Sequence, residues 1–245
     1  MPSLMLYFRM PPTKRLILFI IAIFAAVPLY SQKAQTDAQT EKSPFPDSTT
    51  HTQGSKASPS PTPQLANQQQ LERLAKVADK VLDKIQSEEN DLYARLNYFE
   101  KPERLDPNSY ASKDEIVQWR GILQQLKAQH DKVAELYANV AKELDAALKS
   151  AGENEDIAAR FKKLILDGFP WDQIERKKKL IADFIQEHGN LLTFYEKNWG
   201  SWVKGSDPRK PEFTSASAGN IYKRLKDQIV STSEQIEKEY KAMSD

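Results

Sequence analysis

Apolar residues recur at alternating spacings of three and four from residue 69 to the end of the chain at residue 245. On an α-helix of about 3.6 residues per turn, this spacing places the apolar side chains along one stripe. The longest such stripe comprises Ile116, Trp119, Leu123, Leu126, His130, Val133, Tyr137, Val140, Leu144 and Ala147. A helix with one apolar stripe needs other helices to bury it. The spacing therefore predicts an all-α fold, packed as a helical bundle or coiled coil.

Helix-breaking residues divide this region into four long rods. Pro102 ends the first rod, Gly152 ends the second, and a loop at 200–214 precedes the last. The third rod is broken at Gly168–Pro170, where a glycine and a proline interrupt the helical spacing. Rods of comparable length predict an elongated antiparallel bundle whose third rod is kinked at this break. The alternative is that the segment before the break folds back, which gives five helices.

The N-terminal segment 1–31 has the composition of an export signal. Arg9, Lys14 and Arg15 precede the uncharged, apolar run 16–30. The run is short for a bilayer span, which needs about 20 residues. A cleaved signal peptide and an uncleaved transmembrane helix both remain open. In either case the basic flank stays in the cytoplasm, which predicts a periplasmic, extracellular or membrane-anchored bundle in the cell envelope.

Residues 32–68 are rich in Ser, Thr, Pro and Gln, and their only large apolar residues are Phe45 and Leu65. Such a segment cannot bury enough apolar surface to offset the entropy of ordering it. We therefore expect a disordered spacer at 32–68, which separates the N-terminal segment from a helical bundle domain at 69–245.

Composition and motifs exclude several classes of function. With 35 basic and 34 acidic side chains, the formal net charge of +1 argues against bulk binding to nucleic acid. The chain has no cysteine, and it lacks the glycine-rich, HExxH and GxSxG motifs of common enzymes and nucleotide binders. These absences predict a non-enzymatic protein without a cofactor.

Two histidines, His130 and His188, fall on the apolar stripes and raise the question of a metal site. Ferritin-like bundles supply a Glu three residues before each metal-binding His. Lys127 and Ile185 stand at those places instead. We therefore expect both histidines to be packed between helices, and we predict no metal ligands.

The region around the break in the third rod carries seven basic side chains against three acidic ones over residues 160–179. We call the basic and aromatic residues of this region the elbow; they are Arg160, Lys162, Lys163, Phe169, Trp171, Arg176, Lys177, Lys178 and Lys179. Exposed aromatic residues beside cations are typical of interfaces. The elbow is therefore a candidate site for an acidic protein or an anionic envelope component, and the alternative is a solvated face.

A second candidate surface lies where the first rod ends and the third rod ends, which the antiparallel topology places at one tip of the bundle. Its residues are Tyr98, Phe99, Tyr195, Trp199 and Trp202. They form either a partner surface or an aromatic layer that closes the bundle.

Two functions fit this organisation. The first is a cell-envelope coiled-coil scaffold or adaptor that binds another protein or a surface polymer through the elbow or the tip. The second is a sensor-type four-helix module that binds a small ligand between helices and acts through a partner. The long apolar stripes also make a homodimer a candidate assembly, and residues 16–30 a candidate membrane contact.

Overall fold

The computed structural model describes residues 63–204 and 211–244, and it describes side chains over 69–204 and 211–242. The predicted signal peptide or anchor and most of the predicted spacer lie outside these residues. Within the described residues, no helix combines the length and the apolar character that a membrane crossing requires.

The described part of the chain forms five α-helices: α1 (Pro63–Phe99), α2 (Lys113–Ser150), α3 (Glu155–Asp167), α4 (Trp171–Lys197) and α5 (Ala216–Ser244). Two short 3-10 helices, Pro102–Leu105 and Pro107–Ser109, connect α1 to α2. The all-α prediction is confirmed, and α1 begins inside the stretch predicted as spacer. The predicted loop before α5 holds a small hairpin of two antiparallel strands, β1 (Trp202–Lys204) and β2 (Pro211–Phe213).

Side chains near the helix ends form hydrogen bonds with backbone groups there. The Ser112 hydroxyl accepts a hydrogen bond from the Glu115 amide at 3.2 Å, and the Glu115 carboxylate accepts one from the Ala111 amide at 2.7 Å. Asn154 caps α3 by accepting from the Asp156 amide at 2.9 Å. Gly152 follows α2 with a φ of +72°, a conformation in which a side chain would be strained.

Cross-helix contacts show that α3 and α4 lie in line along α2. At the far end of α2, Asp145 pairs with Lys162 of α3 at 2.7 Å. Nearer the start of α2, His130 Nε2 lies 3.0 Å from the carbonyl oxygen of Lys178 on α4. Because α3 and α4 contact successive parts of the same helix, α2, they follow one another along it. The third rod is therefore interrupted, and α3 does not fold back. The predicted up-down-up-down arrangement of four rods is confirmed.

The fourth rod, α5, runs antiparallel to α4. Thr232 of α5 donates to Glu187 of α4 at 3.2 Å, and Glu239 near the end of α5 pairs with Arg176 near the start of α4 at 3.1 Å. The described part of α5 therefore lies alongside α4 and not alongside α3. As a result the bundle has four helices in the half that contains the 3-10 helices and the hairpin, which we call the tip half. It has three helices, α1 to α3, in the base half.

Two apolar clusters follow this division. The base core lies between α1, α2, α3 and the start of α4 and contains Leu74, Ala78, Leu82, Ile85, Val140, Leu144, Leu148, Phe161, Ile165, Phe169 and Ile174. The tip core lies between α1, α2, α4, α5 and the connection after α1, and its largest members include Phe99, Tyr110, Ile116, Leu126, Phe184, Leu191, Tyr195 and Ile236. Both clusters draw on the same two long helices, α1 and α2.

The apolar spacing of α1 allows two versions of its buried stripe, which differ at two positions: one contains Val81 and the polar Glu88, and the other contains Leu82 and Glu89. The structure buries Leu82 and Glu89. Glu88 lies at the edge of the helix, where Lys132 contacts it at 2.7 Å. Leu82 and Glu89 are buried because, from Leu82 to the end of α1, they keep the strict alternation of three-residue and four-residue spacings between buried positions.

Candidate functional site

The elbow carries less free positive charge than its sequence suggests. Five of its cations form ion pairs within the chain: Lys162 with Asp145 at 2.7 Å, Lys163 with Asp167 at 2.5 Å, Arg176 with Glu239 at 3.1 Å, Lys177 with Glu89 at 3.6 Å and Lys178 with Glu175 at 3.1 Å. Arg160 and Lys179 are exposed and form no ion pair with any residue that the structure describes. The net field of the elbow is therefore carried mainly by these two side chains.

The two aromatic residues of the elbow have different environments. Phe169 is buried in the base core, where its ring lies 6.1 Å from that of Tyr137. Trp171 stacks on Phe169 at 5.0 Å but is 37 % exposed, and its indole nitrogen donates to the Leu166 carbonyl at 2.9 Å. Phe169 is therefore a core residue and not a contact surface, because the break at Pro170 turns its side chain into the bundle. Trp171 is the aromatic group that the elbow presents to solvent.

Lys177 is the largest departure from the predicted elbow, because it is only 6 % exposed. Its ammonium group donates to the Tyr93 hydroxyl at 3.3 Å and lies 3.6 Å from a carboxylate oxygen of Glu89. The ammonium group also lies 5.8 Å from the ring centre of Tyr93 and 5.4 Å from that of Tyr240. A partner cannot reach this lysine, so Lys177 is not a contact residue of the elbow.

Lys177 belongs to a buried polar layer that crosses the bundle, formed by Glu89 and Tyr93 of α1, Tyr137 of α2, Lys177 of α4 and Tyr240 of α5. Tyr137 donates its hydroxyl to Glu89 at 2.9 Å, and the rings of Tyr93 and Tyr240 meet edge to face at 4.5 Å. Burial, and next the Glu89 charge, raise the pKa of both Tyr93 and Tyr137 well above the ordinary value. Both phenols therefore stay protonated.

A small, partly open cavity of about 30 Å³ adjoins this layer and is lined by Glu89, Tyr93, His130, Tyr137, Lys177 and neighbouring residues. This volume holds about one water molecule. Small-molecule sites usually need about 300 Å³ or more. The cavity is therefore smaller than a typical site for an organic ligand.

The tip contains an aromatic layer, and two of the predicted tip residues are interior. Phe99 and Tyr195 are buried in the tip core. The hydroxyls of Tyr195 and Tyr222 both donate to the carbonyl oxygen of Leu105, at 2.9 Å and 2.8 Å. The 3-10 connection after α1 thus covers Tyr195, because α1 ends at Phe99 before it reaches this level. Neither Phe99 nor Tyr195 offers a contact surface.

The other predicted tip residues are accessible. Tyr98 is 53 % exposed and Trp199 is 38 % exposed. Trp202, the first residue of β1, is half-buried, and its ring lies 5.3 Å from that of Trp199. The structure describes eight exposed large apolar side chains, and six of them lie in the tip half: Tyr98, Val117, Ile122, Trp199, Val203 and Ile221. Two of the six, Tyr98 and Trp199, are among the residues predicted for the tip surface, and the other four were not predicted. Exposed apolar residues are therefore concentrated at one end of the molecule.

A groove of about 530 Å³ runs along α5 beside Glu187 of α4 and is lined by Asn220, Lys223, Arg224, Asp227, Gln228, Ser231 and Thr232. Its lining is polar, with charges of both signs, and it is open to solvent. Burial, and the nearby charge of Asp183, raise the pKa of Glu187, while its hydrogen bond with Thr232 opposes the shift. The groove differs from typical small-molecule sites, which are mostly apolar and enclose the ligand.

His130 and His188 occupy different levels of the bundle, since His130 lies beside Lys178 and His188 beside Phe99. The His188 ring is 1 % exposed and lies 4.2 Å from the ring of Phe184 and 5.4 Å from that of Phe99. Its Nδ1 lies 3.1 Å from the Phe184 carbonyl oxygen. Burial lowers the pKa of His188 from 6.5 to about 4, and the Phe184 and Phe99 carbonyls oppose this shift. His188 is therefore neutral in the folded protein at neutral pH.

This lowered pKa predicts a loss of stability in mild acid. Between pH 6.5 and pH 4 the unfolded chain binds a proton at His188 that the folded chain does not, so stability falls as the pH falls through this window. We expect the free energy of unfolding to decrease by about 2 kcal/mol from pH 7 to pH 5 through this residue. Urea unfolding at both pH values measures the loss, and His188→Phe should abolish most of it. Equal losses in the two proteins would contradict the assignment to His188.

Comparisons of the chain with protein-family models, with curated proteins and with solved structures found no match. Two candidate contact surfaces remain. One is the tip half with its exposed apolar residues. The other is the elbow, in which Arg160, Trp171 and Lys179 are exposed beside cations that form ion pairs within the chain.

Proposed function

We propose that this protein is a non-enzymatic scaffold or adaptor of the cell envelope, exported or membrane-tethered, which binds another protein through the tip half of its bundle. The observation that carries the proposal is that six of the eight exposed large apolar side chains of the described residues lie in that half. Exposed apolar residues scattered singly need no explanation, but a concentration of them, including aromatic ones, is typical of an interaction surface. A surface polymer is the other partner class that the proposal allows.

The direction of α1 supports this use of the tip. The predicted anchor and spacer precede α1, which starts at Pro63 in the base half and ends at Phe99 in the tip half. A helix of 37 residues is about 55 Å long. A chain held at its N-terminus would therefore present the tip half as the part farthest from the attachment point, where a partner meets the least obstruction.

The elbow supports a weaker, secondary contact. Trp171, Arg160 and Lys179 remain exposed, and such a combination suits an anionic envelope component or an acidic protein. The remaining exposed cations are held in intramolecular ion pairs, and exposed pairs of this kind exchange partners at a cost of about 1 kcal/mol or less. We therefore assign the elbow a supporting role in the proposed adaptor.

The sensor-type alternative requires a small ligand between helices. The cavity beside the buried polar layer, at about 30 Å³, is roughly tenfold smaller than a small-molecule site. The groove along α5 is large enough but polar and open. Neither feature favours the alternative over the adaptor.

Site-specific photo-crosslinking in the cells that produce the full chain tests the proposal. The crosslinking residue is placed at Val203, an exposed tip position, and in a matched control at Ile157, an exposed apolar position of the base half. We expect a discrete heavier adduct from Val203 and none from Ile157. Equal adducts at both positions, or none at Val203, would contradict the proposed tip surface.

The mass of the adduct separates the partner classes. A second protein gives one discrete increment, two copies of this chain give a doubled mass, and a polymer gives a ladder or smear. Fractionation of the same cells tests the proposed location. A protein in the membrane fraction or outside the cytoplasm supports it, whereas a wholly cytoplasmic protein contradicts it.

A further inference from the structure

The buried polar layer lies at the boundary between the two apolar clusters. On α1, Ile85 belongs to the base core and Leu92 to the tip core, and Glu89 lies between them. On α4, Ile174 and Ile181 have the same relation to Lys177. The layer thus interrupts a continuous apolar interior at a single level, where all four long helical rods contribute a side chain.

A buried ion pair is a poor source of stability. Removing two charges from water costs several kcal/mol per ion, and the attraction between them roughly offsets that cost. Apolar residues of similar volume at the same places are often as stable or more stable. The Glu89–Lys177 contact, with both residues less than a tenth exposed, therefore needs another explanation than stability.

The repeating spacing of apolar residues along the helices supplies an explanation for the buried ion pair. Because the apolar stripe of α1 repeats, a shift of α1 by seven residues along its neighbours still brings apolar side chains together. Such a shift places Leu82 or Leu96, seven residues before or after Glu89, opposite Lys177. The lysine would then be buried without its carboxylate, at a cost of several kcal/mol. Only the observed register pairs the two charges.

We propose that the buried polar layer is a register lock: it selects one alignment of α1 against α2 and α4 and contributes little net stability. The three tyrosines complete the lock. Tyr93 accepts from Lys177, Tyr137 donates to Glu89, and Tyr240 brings α5 to the same level through its ring contact with Tyr93. The layer thereby fixes which face of the tip half is presented, because the tip residues of α1 move with its register.

Distances between spin labels on α1 and α2 test the register lock in the full chain. Cysteines replace Lys76 on α1 and Gln124 on α2, both exposed, and the chain has no other cysteine to label. A shift of seven residues moves the two labels by about 10 Å along the bundle axis. Pulsed electron paramagnetic resonance resolves such a shift as a second or broadened distance.

Two double variants are compared in this labelled background. Glu89→Leu/Lys177→Met makes the layer apolar, and Glu175→Leu/Lys178→Met makes the same change in an exposed ion pair of α4. We expect the parent and the exposed variant to give one narrow distance, and the buried variant to stay helical but give additional distances shifted by about 10 Å. One narrow, parental distance in the buried variant would overturn the proposal. Loss of its helical circular dichroism would also overturn it, because the layer would then supply stability and not selection.

Discussion

Lys177→Ala is expected to lower the free energy of unfolding by about 3–5 kcal/mol, the usual cost of removing one partner of a buried ion pair. The substitution leaves the Glu89 carboxylate buried with only the Tyr137 hydroxyl as a donor. It also removes the contacts of the Lys177 ammonium group with the rings of Tyr93 and Tyr240. Both effects act on the folded state alone.

The adjacent residue provides the control. Lys178 is exposed and pairs with Glu175 at 3.1 Å on the helix surface, so Lys178→Ala should change the free energy of unfolding by less than about 1 kcal/mol. Urea denaturation followed by circular dichroism measures both variants. If Lys177→Ala cost no more than Lys178→Ala, the lysine would be solvated and the buried polar layer would not exist as described.

The contrast between Lys177 and Lys178 shows what sequence reasoning missed at the elbow. From the sequence, the three consecutive lysines 177–179 are predicted to form one exposed surface, because charge is the strongest signal of exposure. The helical period contradicts this at Lys177, which continues the alternation of three and four through Ile174, Ile181 and Phe184. The burial of position 177 was therefore predictable from spacing, but a lysine at that position indicated exposure.

The partner of Lys177 was missed for a related reason. Glu89 continues the apolar stripe of α1 through Leu82, Ile85, Leu92 and Leu96. Two buried charges, one on each of two helices and each on a stripe, suggest a pair even before a structure is known. Sequence spacing cannot show which level of one helix meets which level of another, so the pairing itself required the structure.

The fold was predicted more completely than the sites, because helix ends and stripes are local properties. Ser112, Asn154 and Gly152 mark the boundaries of α2 and α3 through hydrogen bonds and φ values within a few residues. The burial of Phe99 and Tyr195 depends instead on how far α1 extends relative to α4. Exposure at the tip therefore follows from tertiary packing, which the aromatic content of the sequence does not determine.

Leu126→Ala is expected to cost about 2–5 kcal/mol of unfolding free energy, since truncating a buried leucine removes apolar burial and leaves a cavity. Leu126 lies on the predicted stripe of α2 and is fully buried in the tip core. Val117→Ala, on the same helix at a position that is 50 % exposed, should change stability by only about 0.5 kcal/mol. Thermal unfolding followed by circular dichroism compares the two.

A matched truncation in the base core shows how the two cores are coupled. Leu144 is also fully buried on α2, below the buried polar layer. Because α1 and α2 run through both cores, Leu144→Ala and Leu126→Ala should each lower the midpoint of a single cooperative transition. A change below about 0.5 kcal/mol for Leu126→Ala would mean that the register of α2 is wrong. Two separate transitions would mean that the polar layer divides the bundle into independently unfolding halves, joined only by the backbones of α1 and α2.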